Sequence, residues 1–146
     1  MKFQIDWEPR SVTTAASVCT ITAGTSRPVW VVQLCIGFDG VTAAQIPLEI
    51  QVLRASAVGT GTGRTLIKAD ATDGNSIVAT GTTLLTAEPT YTDKLFRGYL
   101  HCQTPPLIWQ PPPRTVCITG AGMMGVRSVG TPSPDVSCVG YLILEE

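Results

Sequence analysis

The sequence predicts an all-β protein, and three observations support that prediction. The chain of 146 residues contains 14 glycines and 11 prolines, spaced so closely that hardly any stretch is long enough for a helix. The stretches between them are rich in Val, Ile, Thr and Leu, which suit a pleated strand. Several stretches also alternate at a period of two. We therefore expect one antiparallel β-sandwich, jelly-roll-like, with roughly eight strands.

The clearest strand runs from Pro28 to Phe38, where both alternating sets of side chains are largely apolar, so we expect it in the centre of a sheet. The stretch from Ile46 to Arg54 also alternates, although a short helix over Leu48 to Val58 would fit as well. The remaining predicted strands are Ser11 to Ala23, Leu95 to Gln103, Arg114 to Thr119, Gly122 to Val129 and Val136 to Leu144. We expect loops at Gly59 to Gly63 and at Ala69 to Thr83, the second with one short strand at most.

Residues 1–10 are expected to form an N-terminal arm, with residues 11–146 forming the single domain. Phe3, Ile5 and Trp7 alternate along this arm, so an extended backbone would place all three on one side. An arm outside the main body has little reason to be so apolar unless it packs on another surface. We therefore predict that these three residues contact a partner.

A second candidate contact is the segment framed by Pro105-Pro106 and Pro111-Pro112-Pro113. Proline lacks a backbone donor, so this segment should be extended, stiff and outside the middle of a sheet. It presents Leu107, Ile108 and Trp109, which would lose little entropy on docking. These three residues either contact a partner or cover the end of the sandwich, and both interpretations stay open.

Composition limits the functional classes. Only 14% of residues are charged, against about 25% in ordinary soluble domains, which favours a surface that is covered by partners. The net charge is −1 without clustered Lys or Arg, so we expect no nucleic-acid binding. No apolar run reaches the length of a membrane span or a signal peptide. The five cysteines lie in strand-like stretches, which predicts buried, reduced thiols and folding in a cytoplasm.

The chemical motifs are weak. Gly120 to Gly125 matches G-x-G-x-x-G, but the residues that follow are too few and too β-like for the helix that holds a pyrophosphate, so a tight hairpin is expected. The Gly59 to Arg64 stretch lacks the lysine of a phosphate loop. His101 and Cys102 are adjacent, so a strand would point them to opposite faces. We expect no catalytic, metal or cofactor site.

Several short motifs, in order, resemble small β-sandwich proteins from the structural gene clusters of tailed bacteriophages. The similarity covers most of the chain from Ser11 onward. The motifs are Cys35 to Gly40 with the strand Ile46 to Leu53, then Ala87-Glu88-Pro89-Thr90, then Leu107-Ile108-Trp109 with its prolines, and finally a glycine hairpin leading to Tyr141 to Glu146.

The resemblance implies a virion structural protein without enzymatic activity, most simply a capsid decoration (cement) protein. Such a protein would be made in the host cytoplasm, assemble as a homotrimer and bind the major capsid protein on the capsid surface. The alternative within the virion is a tail or head-fibre module that binds a host surface. A small enzyme or a carbohydrate-binding module on a jelly roll also stays open, because fold does not fix function.

Overall fold

The computed structural model describes residues 1–12, 15–39, 46–132 and 135–146. All regular structure in these ranges is β, and twelve strands form two six-stranded sheets in which every pairing is antiparallel. The prediction of an all-β sandwich is confirmed. The sequence also predicts a turn at Asp39-Gly40, and Gly40 lies outside the described residues.

The two sheets are named sheet I and sheet II. Sheet I contains β1 (Lys2–Ser11), β3 (Val29–Phe38), β6 (Ile67–Lys68), β9 (Leu107–Trp109), β10 (Cys117–Ile118) and β12 (Ser137–Glu145). Sheet II contains β2 (Ala15–Thr22), β4 (Leu48–Ala57), β5 (Thr60–Arg64), β7 (Thr80–Ala87), β8 (Thr90–Leu100) and β11 (Met123–Val129).

The strand pairs are nested along the chain. Strand β1 pairs with β12, β2 with β11, β3 with both β9 and β10, and β4 with β8. Successive pairs alternate between sheet I and sheet II, so the chain crosses the sandwich repeatedly. The segment between β4 and β8 adds β5 and β7 beyond β2, and β6 beyond β1. With β9 and β10 counted as one interrupted strand, the nested pairs contain the eight strands expected, and the insertion supplies the rest.

The core lies between the sheets and is built from the inward-facing residues of alternating strands. Sheet I and sheet II contribute comparable numbers of large side chains with 0–1% exposure, and burial of such residues stabilises the fold through the hydrophobic effect. The largest of them are Phe3, Ile5, Leu34, Ile36, Leu142 and Leu144 from sheet I, and Ile21, Leu48, Ile50 and Met124 from sheet II.

Two local predictions were wrong. The Gly59 to Gly63 stretch is not a loop, because Thr60–Arg64 pairs with β7 as an edge strand. The predicted strand from Arg114 to Thr119 is reduced to Cys117–Ile118, because a turn closed by Thr115 N–H on the Pro112 carbonyl (3.2 Å) takes up its first residues. The first error arises because a strand distant in sequence decides the outcome, and the second because a local turn replaces the start of the strand.

The glycine motif forms the tight turn that was predicted, but not a hairpin within one sheet. Gly120 and Ala121 have φ of 55° and 62°, and the Gly122 N–H donates to the Thr119 carbonyl at 2.8 Å. Positive φ at both central residues is the geometry of a type I′ turn. The turn leads from β10 in sheet I to β11 in sheet II, so a strand follows where a dinucleotide site would need a helix.

The predicted N-terminal arm is also corrected. Strand β1 lies inside sheet I, between β12 along its length and β6 at Phe3 and Gln4. The alternation of Phe3, Ile5 and Trp7 correctly indicated one apolar side, but that side faces the core of the same chain. A period of two identifies an apolar face without identifying what covers it.

We expect Ile5→Ala to lower the free energy of unfolding by about 2–5 kcal/mol, because it leaves a cavity at a fully buried position. Gln4→Ala, one residue away on the outward face, is the matched control and should change it by less than about 0.5 kcal/mol. Urea denaturation followed by circular dichroism measures both. Equal effects of the two substitutions would mean that β1 does not pack as described.

Candidate functional site

The six residues predicted at an interface divide into two groups, and the first is internal. Phe3 and Ile5 are 0% exposed and Trp7 is 5% exposed within the chain itself. These side chains are therefore not available to a partner while the sandwich is folded. Contact between a partner and these three side chains would require removal of β1 from sheet I.

The second group lies on β9, and its three residues do not all face the same way. β9 pairs with Leu34–Ile36 of β3 at the edge of sheet I. Trp109 stacks on Phe96 with 4.4 Å between ring centres and 22° between planes, and Leu107 packs against the core. Ile108 instead points outward and is 60% exposed. Leu107 and Trp109 thus cover the end of the sandwich, which leaves Ile108 as the residue of this strand open to a partner.

Ile108 begins a row of uncharged side chains that spans β9, β3 and β12 on the outer face of sheet I and ends at the charged Asp6 of β1. Ile108 pairs with Cys35, and Cys35 pairs with Tyr141. Residues directly opposite each other on a ladder point to the same face. Val139, 38% exposed, lies two residues from Tyr141 and shares that face. We call these four residues the Ile108 row.

A groove of about 520 Å³ lies on the same outer face, near the other end of β3. One ladder row supplies its base, because Trp30 pairs with Glu145 and Glu145 pairs with Lys2. The prolines 111–113, Arg114 and Gln110 also line it. We call this the Trp30 groove.

Arg114 is held in the Trp30 groove by a strained backbone. Its φ is 58°, at the third position of the turn that runs from Pro112 to Thr115, where glycine or asparagine is usual. Such a conformation costs a residue with a Cβ on the order of 1 kcal/mol. The guanidinium lies 5.2 Å from the centre of the Trp30 ring and 3.5 Å from the Glu145 carboxylate. The turn therefore aims a cation at the groove at some cost in stability.

A polar network covers the outer face of sheet II. The Ser17 backbone N–H donates to the Glu88 carboxylate (3.1 Å), the Ser17 hydroxyl also contacts that carboxylate, and it lies 2.7 Å from the Tyr91 hydroxyl. The Tyr91 ring lies over Gly125, and the Arg127 guanidinium lies 5.0 Å from the ring centre. Burial raises the pKa of Tyr91 well above its ordinary value. Its hydroxyl therefore acts as a neutral hydrogen-bonding group.

The network continues across β4 and β8. Arg127 donates to Gln51 (2.8 Å), Gln51 donates to Glu49, and Arg97 forms an ion pair with Glu49 at 2.6 Å. The hydrogen bond from Gln51 lowers the pKa of Glu49, with a smaller contribution from Arg97, although partial burial opposes both. Each charged group named here has a partner inside the network. Sequence reasoning missed this cluster, because its members come from strands up to 110 positions apart and no motif links them.

The remaining reactive side chains are His101 and the five cysteines. His101 follows β8 in a turn, where its Nδ1 accepts a hydrogen bond from the Gln103 N–H (3.2 Å). None of the five cysteines forms a disulfide bond, and burial raises the pKa of both Cys19 and Cys138 to about 12, which keeps these thiols protonated. Within the described ranges, no group of three His, Cys, Asp or Glu residues is placed to hold a metal ion.

No helix in the described part of the chain is long and apolar enough to cross a membrane. Searches against protein-family models, curated proteins and solved structures found no match. Functional interpretation therefore depends on the geometry of this chain and on the short motifs identified in its sequence.

We expect Gly125→Ala to lower the free energy of unfolding by about 1–3 kcal/mol, because a Cβ there would lie 2.6 Å from the Tyr91 hydroxyl oxygen. Gly63→Ala, in another strand of sheet II, is the control, since no atom lies within 4 Å of its added Cβ. It should shift stability by no more than about 1 kcal/mol. Urea denaturation measures the free energy of unfolding of both variants. If Gly125→Ala is as stable as the wild type, the Tyr91 ring does not lie over Gly125.

The pH dependence of stability should reveal the role of Glu49. A carboxylate whose pKa is lowered by folding stabilises the native state above its unfolded pKa of about 4.5, and this contribution is lost as the pH falls through the lower folded value. We expect Glu49→Gln to flatten the loss of stability below pH 4.5, measured by urea denaturation at successive pH values. Parallel curves for wild type and variant would contradict the assignment.

Proposed function

We propose that this chain is a bacteriophage virion structural protein of the capsid decoration type. In this proposal it has no catalytic role and binds the lattice of the major capsid protein from outside. Two lines of reasoning support the proposal. One is the order of the short motifs that resemble phage structural proteins, and the other is the combination of a stiff β-sandwich with an exposed apolar contact residue.

The proposal includes a jelly-roll fold, which is common among viral capsid domains. The nested pairing of β1 with β12, β2 with β11, β3 with β9 and β10, and β4 with β8 supports it. A long antiparallel ribbon that wraps around a barrel axis produces this pairing, with successive ribbon segments alternating between the two sheets. Shared architecture alone does not establish function, so the contact surface carries more weight.

The observation that carries the proposal is the position of Ile108. It is 60% exposed on a short strand, at a sheet edge, between a proline pair and a proline triplet that restrict the backbone. Exposure of an isoleucine costs little by itself, but a stiff backbone reduces the entropy lost when this side chain docks. The Ile108 row extends this contact into an uncharged surface, which is typical of the centre of a protein interface.

The proposal also includes assembly as a homotrimer on the capsid surface of the virion. Sedimentation or light scattering should give three times the mass of a single chain. The alternative is a tail or head-fibre module that binds a host surface, for which the Trp30 groove is the favouring observation because it could accept a small ligand.

Ile108→Asp should weaken binding to undecorated capsids about 30-fold or more, because it places a charge in the centre of the proposed contact. Ile67→Asp is the matched control, since Ile67 is 54% exposed at the opposite edge of sheet I. Co-sedimentation with capsids assembled from the major capsid protein of the same phage measures both.

Trp109→Ala is unsuitable for this test, because the Trp109 ring stacks on Phe96 and its loss would disturb the fold. Equal binding by wild type and Ile108→Asp would refute the contact. If the wild-type protein shows no capsid binding at micromolar concentration, decoration is excluded and the fibre alternative is favoured.

A further inference from the structure

We propose that the Trp30 groove binds a pyranose ring that carries a carboxylate, the ring type found in uronic and sialic acids. The groove is separate from Ile108, and the inference does not rest on capsid docking. Its volume of about 520 Å³ is within the range of small-molecule sites and suits one or two sugar units.

The shape of the groove selects a ring with apolar faces. The Trp30 indole, the prolines 111–113 and Val32 line the groove, and the Arg114 guanidinium lies over the Trp30 ring. Indole and proline rings are rigid, so a ligand that packs against them costs little entropy in ordering the protein. A pyranose chair presents C–H groups on its faces and hydroxyls around its rim, which matches apolar walls with polar groups at their margin.

The polar groups of the groove select the substituents. Lys2, Arg114 and Glu145 carry a combined charge of +1, and the Gln110 side chain is fixed by its hydrogen bond to Gln33 (2.7 Å). An arginine fork matches a carboxylate in two parallel hydrogen bonds, and Lys2 adds a second cation. The Glu145 carboxylate and the Gln110 amide suit sugar hydroxyls, which both donate and accept. A simple aromatic acid has no hydroxyls around its ring, so it would leave Glu145 and Gln110 without hydrogen-bond partners on the ligand.

The backbone at Arg114 provides an independent argument. Its φ of 58° places a residue with a Cβ where glycine would be relaxed, and the strain directs the guanidinium over Trp30 and beside Glu145. Strain that is retained in a native structure tends to occur at functional sites. Ala121, at φ 62°, has similar strain in a turn away from the groove and therefore serves as a control position.

The test uses the full chain labelled with ¹⁵N and follows the indole N–H signal of Trp30 in NMR titrations. Trp30→Phe assigns this signal among those of the three tryptophans. D-glucuronic acid should shift it with a dissociation constant in the millimolar range. D-glucose, which differs by the carboxylate, should bind at least about tenfold more weakly. Equal binding of the two sugars, or no shift at about 50 mM glucuronate, would overturn the proposal.

Two glycine variants separate binding from folding. Arg114→Gly relieves strain and removes the guanidinium, so it should keep the melting temperature within about 3 °C of wild type while weakening glucuronate binding at least about tenfold. Ala121→Gly relieves strain of the same kind elsewhere and should bind as wild type does. Wild-type glucuronate binding by Arg114→Gly would refute the role of the groove.

Discussion

The rest of the structure depends on the pairing of the first strand with the last. Strand β1 aligns with β12 so that Phe3 is opposite Leu144 and Ile5 is opposite Leu142, and all four side chains are fully buried. Without β1, β12 would become the edge of sheet I and the core would open on that side. The same register places Lys2 beside Glu145, which pairs with Trp30 across β12 and β3. One long-range ladder therefore positions both the core and the base of the groove.

The strands and turns that depend on a local sequence pattern could be predicted from the sequence. The strand at Pro28 to Phe38 was recognised because both of its faces are apolar, and β3 indeed has neighbours on both sides. The tight turn at Gly120-Ala121 followed from its glycines. Strand β5 could not be predicted, because Thr-Gly-Thr-Gly-Arg becomes a strand through pairing with β7, more than 15 residues away. The Trp30 groove was hidden for the same reason, since its row joins residues 2, 30 and 145.

The two outer faces of the sandwich differ in chemistry. On sheet II, Glu49 is paired with Arg97, and Glu88 lies 3.6 Å from Arg10 and accepts from Ser17, so this surface satisfies its own charges. A partner that covered it would have to replace solvent around those ion pairs, which is costly. The outer face of sheet I carries the uncharged Ile108 row, but the Asp6–Arg64 ion pair (2.7 Å) and the Arg114–Glu145 ion pair (3.5 Å) border it, so only a contact confined to the row avoids that penalty. Both outer faces therefore carry ion pairs, and what distinguishes sheet I is the uncharged row between its ion pairs.

The Ile108 row and the Trp30 groove share this one face, and their spacing couples them. Cys35 follows Trp30 by five residues along β3, which corresponds to roughly 16 Å in a strand. A contact of standard size buries about 800 Å² on each partner, a patch with a radius of roughly 16 Å. A protein interface centred on the Ile108 row would therefore reach the edge of the groove. Hydrogen bonds from Gln110 to Gln33 and from Gln33 to Tyr141 link the two regions directly. Occupation of one surface consequently limits how a large partner can sit on the other.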